Sequence, residues 1–328
     1  MLLAGDIGAT KTLIGLFAPA AVRPAPVDVR AVTTLDYDSL EAIVQEFLAD
    51  HPRAGSIAAA SFGVAGPIVE QVARLTNVPW EVDAAAVREL FGFPYLTLLN
   101  DLQAMAYSVP VLLPDELEVL QRGFAAPTGN AALIAAGTGL GEALLHHVNG
   151  RFIPSPTEGG HADYAPRTPR EIGLLRALVR TFGRGEYEQV LSGRGLVNIH
   201  QYVHDGSVCR GGATGLDPVG DPALISQAAL ENRCARCVES LDLFVTAYGA
   251  EAGNLALHTM ASAGVFVGGG IAPKILPALR GGAFMQAFLD KPPMDAFLSQ
   301  VPVAVILNDR AGLLGSAVHA NATAQGLR

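Results

Sequence analysis

The feature that most constrains the fold is a short pattern that occurs twice. Near the start, two apolar runs at residues 2–4 and 13–17 flank a turn rich in glycine and threonine. The same order of strand, Gly/Thr turn and strand returns at residues 131–148. An internal repeat of this kind predicts two similar lobes, each offering one Gly/Thr hairpin, that face one another across a cleft.

The first turn, residues 5–12, has the composition of an anion-binding loop. Glycines let backbone N–H groups approach a ligand closely, and the hydroxyls of Thr10 and Thr12 add donors. An ordinary hairpin turn has the same composition, and the order of residues matches neither a Walker loop nor a dinucleotide fingerprint. Asp6 favours the phosphate interpretation, because a carboxylate beside phosphates can hold a hydrated Mg²⁺ ion. Two such loops suit a triphosphate better than one.

A further apolar run, residues 96–99, ends abruptly in Asn100 and Asp101. Side chains placed where a buried strand of an α/β sheet stops point into a crevice. Asp101 can accept a proton from a substrate hydroxyl there, and Asn100 can orient that hydroxyl. The pair is also ordinary turn and helix-cap chemistry, which is the commoner interpretation for these two residues alone.

Two more loops carry candidate ligands. Two glycines separate Glu158 from His161, so both side chains can turn to one side and grip adjacent hydroxyls. A loop carboxylate and a surface histidine remain the alternative, and no third metal ligand lies near in the sequence. Three glycines, residues 268–270, follow an apolar strand at residues 264–267. Because such a run packs no side chain, it favours a flat ligand lying against the backbone.

Length and composition set the broad class of protein. A chain of 328 residues exceeds the size at which a single core usually keeps growing, so two lobes are expected. Half of the residues are apolar, 16% are charged and the mean hydropathy is +0.33, which favours a well-filled globule over disorder. The formal charge of −9 and the lack of a Lys/Arg cluster argue against nucleic acid as a partner.

Cysteine usage and the terminus indicate the compartment. The start of the chain lacks the basic segment of a secretory signal, and polar residues interrupt the apolar stretch 252–273, so we expect a cytoplasmic protein without a membrane partner. Three cysteines fit reduced thiols. Cys234 and Cys237 form a C-x-x-C pair, but no second Cys/His pair stands at a useful spacing, which favours a structural role. Low charge and a high apolar share hint at a homodimer.

Six motifs, in order, resemble those of bacterial glucokinases, and the match covers essentially the whole chain. They are Gly5-Asp6-Ile7-Gly8-Ala9-Thr10, Leu99-Asn100-Asp101, Ala136-Gly137-Thr138-Gly139-Leu140-Gly141, Glu158-Gly159-Gly160-His161, Val190-Leu191-Ser192-Gly193-Arg194-Gly195-Leu196-Val197-Asn198 and Gly268-Gly269-Gly270-Ile271-Ala272-Pro273. The resemblance implies an α/β fold of two ribonuclease-H-like lobes, as in actin-like ATPases, with an active-site cleft between them. We expect residues 1–109 plus 303–328 in the smaller lobe and residues 110–302 in the larger.

The resemblance also implies the reaction and its residues. The γ-phosphoryl group of MgATP passes to the 6-hydroxyl of glucose, giving glucose 6-phosphate and ADP, the first step of glycolysis. Asp101 is then the base, Asn100 positions the sugar, and Glu158, His161 and Glu188 grip its other hydroxyls. The implied ATP site comprises Gly5, Asp6, Ile7, Gly8, Ala9, Thr10, Gly137, Thr138 and Gly139 around the phosphates, and Gly268, Gly269 and Gly270 beside the adenosine. Asp6 would hold Mg²⁺ through water.

Departures from the family pattern are few. Ala9 stands where a second glycine is usual, and Lys11 where some members carry asparagine. A sugar-sensing regulator is disfavoured, because Asp6, Asp101 and both loops are present and no cysteine-rich loop follows His161. A kinase that uses polyphosphate, or one that acts on another hexose, stays open because individual hydroxyl contacts decide that choice.

Overall fold

A computed structural model of the chain describes residues 1–51, 56–75, 78–209, 211 and 220–327. Residue contacts group the chain into two compact units, which we call unit 1 (Met1–Leu113 with Asn308–Arg328) and unit 2 (Pro114–Leu307). Among the helices formed by these described residues, none has both the length and the hydropathy of a membrane span.

Within its described residues, unit 1 contains a five-stranded sheet, a small three-stranded sheet and four helices. The strands are β1 (Leu2–Ile7), β2 (Lys11–Ala18), β3 (Ala25–Thr33), β4 (Ala59–Val64), β5 (Ile68–Val69), β6 (Val72–Arg74), β7 (Glu81–Asp83) and β8 (Leu96–Asn100). The helices are α1 (Leu40–Ala49), α2 (Ala84–Phe91), α3 (Asp101–Ser108) and, from the end of the chain, α11 (Ala311–Ala324).

The main sheet of unit 1 has the strand order β3-β2-β1-β4-β8. β3, β2 and β1 pair antiparallel, whereas β1, β4 and β8 run parallel. Ile7 lies opposite Val64, and Val64 lies opposite Asn100, so the three parallel strands end at the same edge of the sheet. Parallel strands are covered on both faces, and β1 and β4 are accordingly buried at every position except Asp6.

Helices cover both faces of this sheet. Leu40 and Phe47 of α1 lie in the core on one face. Leu313 and Ala317 of α11 pack with Phe17 in a second apolar cluster on the other. Burial of these side chains on two faces is what fixes the sheet between its helices.

Within its described residues, unit 2 contains a six-stranded sheet and seven helices. The strands are β9 (Leu117–Gln121), β10 (Ala131–Ala136), β11 (Leu140–Val148), β12 (Arg151–Thr157), β13 (Gly264–Gly268) and β14 (Val303–Ile306). The helices are α4 (Pro169–Phe182), α5 (Gly193–His204), α6 (Pro222–Leu230), α7 (Ala235–Thr259), α8 (Leu276–Arg280), α9 (Ala283–Leu289) and α10 (Asp295–Leu298).

The sheet of unit 2 repeats the plan of unit 1 and adds one strand. Its order is β12-β11-β10-β13-β14-β9, in which β12, β11 and β10 pair antiparallel and β10, β13 and β14 run parallel. The added strand, β9, is antiparallel to β14. Tyr248 of the long helix α7 is fully buried in the core of this unit. The repeat and the α/β class predicted from the sequence are confirmed.

Both boundaries differ from the expected lobes, because residues 110–113 lie in unit 1 and residues 303–307 lie in unit 2. The sequence analysis put residues 303–328 together in the smaller lobe, but β14 (Val303–Ile306) pairs with β13 and β9 in the sheet of unit 2. All four residues of β14 are buried and apolar, so they suit the interior of either sheet. An apolar pattern predicts burial and does not indicate which strands will be the neighbours.

Candidate active site

Asn100 and Asp101 lie where β8 ends and α3 begins. Asn100 caps the helix, because its Oδ1 accepts hydrogen bonds from Leu102 N at 3.0 Å and Gln103 N at 3.4 Å. Asp101 Oδ1 also accepts from Leu102 N, at 2.8 Å, and the residue is exposed. The helix-cap interpretation therefore holds for Asn100, and the cap fixes the backbone that carries an accessible carboxylate.

Asp6 places a second carboxylate in the same unit. The pKa of Asp6 is raised to about 6, first by burial and then by the negative charge of Asp101, while Lys11 acts in the opposite direction. A Cβ on Gly312 would lie 2.6 Å from Asp6 Oδ2, so the carboxylate lies directly against the first turn of α11. Carboxylate oxygens are the ligands that Mg²⁺ prefers, and a cation here would relieve the repulsion between two like charges. The donor set therefore fits the ion implied for this unit.

The first Gly/Thr turn joins β1 to β2. Gly8 N donates to Lys11 O at 3.1 Å, and the Thr34 hydroxyl donates to Gly8 O at 2.7 Å. The hydroxyl of Thr12, which the sequence offered as a ligand donor, is buried and lies 2.9 Å from Thr34 Oγ1. Thr10 is exposed. Of the two threonines, only Thr10 presents an accessible hydroxyl.

The second Gly/Thr turn joins β10 to β11 and is held by residues outside it. Gly193 N, at the start of α5, donates to Gly137 O at 2.9 Å. Glu188 Oε2 accepts from Leu140 N at 3.0 Å. A Cβ on residue 139 would lie 2.5 Å from that same oxygen, so the Glu188 carboxylate packs directly against Gly139. Glu188, expected to grip the sugar, thus contacts the turn expected to hold phosphate.

The loop at residues 158–161 packs against this second turn. Gly159–His161 forms one turn of 3-10 helix. A Cβ on Gly160 would overlap the carbonyl oxygen of Leu140, which explains why a glycine is needed there. Glu158 and His161, on either side of the glycines, are both exposed. Unit 2 therefore brings together the second turn, this loop and Glu188.

Glu186 joins the group, although the sequence analysis gave it no role of its own. His161 Nδ1 lies 3.3 Å from Glu186 Oε1. One polar atom each of His161, Glu186 and Glu188 lie within 4.8 Å of one another. The signal was present in the sequence, because Glu186 and Glu188 stand two residues apart at the short turn Tyr187–Gln189.

A cavity of about 400 Å³ opens beside these two carboxylates. Glu186 and Glu188 line it together with Ser192, Arg194 and Asn198. Its size lies within the range usual for small-molecule sites, and its lining combines hydroxyl, amide and charged groups that suit a polyhydroxylated ligand.

The run of three glycines follows β13. Gly269 has φ of +82°, and a Cβ there would overlap the carbonyl oxygen of Ala136. Around Gly270 a Cβ would meet nothing within 4 Å. Backbone geometry therefore accounts for Gly269 without a ligand, a reason that the sequence alone did not supply. Gly270 leaves open space against the backbone.

Each unit gathers its own set of polar groups at the edge where its parallel strands end. Unit 1 contributes Asp6, the turn at residues 8–10, Asn100 and Asp101; unit 2 contributes the turn at residues 137–139, His161, Glu186 and Glu188. Two ribonuclease-H-like sheets with a Gly/Thr turn in each define a protein of the actin-like ATPase fold.

Comparison with known proteins identifies the family to which the chain belongs. A sequence profile described as Glucokinase matches residues 3–323. A glucokinase of Synechocystis sp. is 36% identical over 342 residues, covering 96% of each chain. A glucokinase from an Antarctic psychrotroph has a crystal structure that matches with a TM-score of 0.87 and 29% identity, covering 97% of this chain and 98% of that one. The glucokinase of Balamuthia mandrillaris, solved in complex with glucose, shares the fold at a TM-score of 0.79 and 22% identity, covering 98% and 93%. The chain belongs to the glucokinase family.

Proposed function

We propose that this chain transfers the γ-phosphoryl group of MgATP to the 6-hydroxyl of glucose, giving glucose 6-phosphate and ADP. The observation that carries the proposal is the position of Asp101, an exposed carboxylate on a backbone fixed by a helix cap at the end of a buried strand. Membership of the glucokinase family supports the same reaction. Glucose is the ligand bound in the Balamuthia mandrillaris relative.

Asp101 is the general base of the proposed reaction. Its carboxylate would accept the proton of the 6-hydroxyl as that oxygen attacks the γ-phosphorus. Asn100 positions the sugar: Oδ1 is engaged in the helix cap with Leu102 N, and the Nδ2 group is the part that would donate to a sugar hydroxyl.

The Gly/Thr turns and Asp6 are proposed to serve the nucleotide. Because Gly8 N donates to Lys11 O and Gly137 N donates to Gly139 O, the backbone N–H groups proposed to meet phosphate oxygens are those of residues 9 and 10 and of residues 138 and 139. The remaining residues of 5–10 and 137–139 would shape the two turns, and Gly268, Gly269 and Gly270 would lie beside the adenosine. Asp6 would hold Mg²⁺ through water. The ion neutralises charge on the phosphates, which is the main requirement of phosphoryl transfer.

The polar groups of unit 2 are proposed to grip the sugar. Glu158 and His161 are exposed on the glycine loop, and Glu188 lines the cavity. Because Glu186 contacts His161 at Nδ1, Nε2 is the ring nitrogen that would meet a sugar hydroxyl. Carboxylates bound to hydroxyls in this way discriminate between sugars through individual hydrogen bonds.

The proposal includes a cytoplasmic location and a role in the first step of glycolysis. No disulfide bond joins any of the three cysteines, which fits a reducing compartment.

A coupled assay for glucose 6-phosphate tests the reaction. Purified protein, glucose and MgATP are compared with the same mixture lacking magnesium, and we expect turnover only when magnesium is present. No turnover together with measurable glucose binding would indicate a sugar sensor and overturn the catalytic proposal.

A second panel tests the choice of substrates. Polyphosphate replaces ATP, and mannose or fructose replaces glucose, under the same conditions. We expect the highest kcat/KM with ATP and glucose. A higher kcat/KM with polyphosphate, or with another hexose, would reassign the donor or the acceptor.

A further inference from the structure

All three cysteines of the chain lie together in unit 2. Cys209 follows the end of α5, Cys234 is the N-cap of α7, and Cys237 lies in the first turn of that helix. Cys209 Sγ is 3.7 Å from Cys234 Sγ and 3.4 Å from Cys237 Sγ. A disulfide bond needs a separation of about 2.05 Å, so these are three thiols in contact.

Two histidines of α5 complete the cluster. His200 and His204 lie one helical turn apart, are both buried, and have ring centroids 3.8 Å apart. His204 Nε2 lies 3.6 Å from Cys234 Sγ. His204 Nδ1 lies 2.9 Å from the carbonyl oxygen of His200. A ring nitrogen that donates to a backbone carbonyl orients the other nitrogen toward a metal ion, as metal-binding histidines commonly do.

These separations fit the edges of a tetrahedral metal site. With a Zn–S distance of about 2.3 Å and a Zn–N distance of about 2.0 Å, neighbouring sulfurs lie about 3.8 Å apart, and sulfur and nitrogen about 3.6 Å apart. The observed edges agree within a few tenths of an ångström. One ligand atom each of His200, His204, Cys209 and Cys237 lie within 4.8 Å of one another. Sulfur and imidazole ligands select Zn²⁺ over Mg²⁺.

The surroundings of the cluster favour negative charge. Cys234 and Cys237 lie at the N-terminus of α7, where the helix dipole stabilises thiolates. Arg236 Nη1 donates to His204 O at 2.7 Å, and the guanidinium of Arg233 donates to Gly211 O. Two positive charges therefore lie on the segment that carries Cys234 and Cys237, and they donate to backbone oxygens on either side of Cys209 in the sequence.

We propose that unit 2 binds one Zn²⁺ ion through the Sγ atoms of Cys209, Cys234 and Cys237 and Nε2 of His204. His200 supports the ring of His204 by stacking on it. The ion joins α5, the segment that follows it and the start of α7. None of these ligands is among the residues proposed to bind sugar or nucleotide. The zinc proposal therefore does not depend on the proposed kinase reaction.

In the sequence, the C-x-x-C pair has no evident second Cys/His pair at a useful spacing, which favours a structural role for it. The second pair is His200 and His204, whose spacing of four residues puts both rings on one face of a helix. Packing of α5 against α7 brings this face to Cys234 and Cys237.

Metal content is the direct test. Protein without an affinity tag is purified under reducing conditions, exposed to zinc sulfate and separated from free metal. Its zinc content is then measured by inductively coupled plasma mass spectrometry. We expect about one zinc per chain. After Zn²⁺ is replaced by Co²⁺, the absorption spectrum should show the visible bands of a tetrahedral site and thiolate charge-transfer bands in the near ultraviolet. Less than about 0.1 zinc per chain and no such cobalt spectrum would overturn the proposal.

Variants assign the ligands. Cys209→Ser, Cys237→Ser and His204→Gln should each lower bound zinc at least about tenfold. His146→Gln, at an exposed histidine on β11, is the matched control and should bind like the wild type. Zinc that is lost from His200→Gln but kept by His204→Gln would overturn the assignment to His204. Because the wild-type cobalt spectrum needs no substitution, a variant that fails to fold leaves the test intact.

A thiol count distinguishes metal binding from a redox pair. Protein prepared without reductant, then denatured with a chelator, should show all 3 cysteines as thiols. A disulfide bond between Cys209 and Cys234 or Cys237 in that preparation would show that no metal ion protects the sulfurs from oxidation, and would overturn the proposal.

Discussion

In both units three antiparallel strands lead into parallel strands, in the order β3-β2-β1-β4-β8 in unit 1 and β12-β11-β10-β13-β14-β9 in unit 2. A Gly/Thr turn joins the first two strands of each set, β1 to β2 and β10 to β11. The units differ in what surrounds that turn. In unit 1 the hydroxyl of Thr34 holds it, at Gly8 O, whereas in unit 2 the carboxylate of Glu188 holds it, at Leu140 N.

The carboxylates differ in the same way. Asp101 of unit 1 is exposed at the start of a helix, whereas Glu188 of unit 2 is committed to a backbone N–H group and a cavity wall. One sheet plan therefore supports a proposed reacting group in one unit and a proposed binding group in the other. The edge of the sheet provides position, and the side chains decide the chemistry.

The largest effect is expected from Asp101→Asn. Loss of the proposed base should lower kcat by about 10²–10⁴-fold, with KM for glucose changed far less, because the amide still fills the site. Steady-state kinetics check this, with Asp115→Asn, at an exposed carboxylate of unit 2, as the control. Equal losses in kcat and in glucose affinity would count against a base in unit 1.

Gly139→Ala should destabilise the chain more than Gly137→Ala. A Cβ at 139 would lie 2.5 Å from Glu188 Oε2, whereas at 137 it would meet nothing within 4 Å. Because the carboxylate of Glu188 would have to move away from Leu140 N, we expect Gly139→Ala to lower the free energy of unfolding by about 1 kcal/mol, measured in urea, and Gly137→Ala to change it much less. Similar losses in both variants would show that Glu188 does not constrain the turn.

Glu188→Gln should weaken glucose binding, whereas Asp101→Asn should lower the turnover rate. The amide oxygen can still accept from Leu140 N, but the charge offered to a sugar hydroxyl is lost. We expect KM for glucose to rise by about tenfold, with a smaller change in kcat. Glu89→Gln, at an exposed glutamate on α2, is the control. If Glu188→Gln lowered kcat as much as Asp101→Asn does and left KM unchanged, Glu188 would not be a binding group, and the proposed difference between the two units would be wrong.

Glu142 of unit 2 is expected to make the free energy of unfolding depend on pH. Burial, and then the negative charge of Glu251, raises the pKa of Glu142 to about 8 from 4.5. Between these values the folded chain holds a proton that the unfolded chain releases. The free energy of unfolding should therefore fall as pH rises, by at most about 1.4 kcal/mol per pH unit.

Glu142→Gln cannot titrate, so its stability should decline less between pH 5 and 8, as urea unfolding at several pH values would show. Glu89→Gln should keep the wild-type slope. Asp6 of unit 1, with a pKa of about 6, contributes in the same direction but only over the lower part of this range. Equal slopes for wild type and Glu142→Gln would contradict a buried, protonated Glu142.

Much of the fold could be predicted because its signals are local. Thr168, Pro169 and Glu171 predict a helix start, and α4 begins there with a complete capping box. The spacing of Val238, Leu241 and Val245 likewise indicates a long helix, and the structure has α7 there, Ala235–Thr259. Caps and apolar periodicity depend on neighbours within about four residues, so the sequence displays them directly.

The candidate site could be predicted only in part. The sequence located Asp101, His161 and Glu188, and their roles stay predictions. It missed Glu186, and it offered Thr12 as a ligand donor although that hydroxyl bonds Thr34. The contact of Glu186 with His161 and that of Thr12 with Thr34 each join residues far apart in the sequence. A local sequence pattern therefore does not indicate either contact.

By itself, the sequence determined the two Gly/Thr turns, several of the helix caps and buried strands, and which polar groups stand beside them. Only the tertiary structure decided that β14 joins unit 2, that Glu188 holds the turn 48 residues before it, and that three cysteines meet His204. Backbone geometry follows from adjacent residues, whereas the neighbours of a buried strand or side chain are set by how a whole core packs.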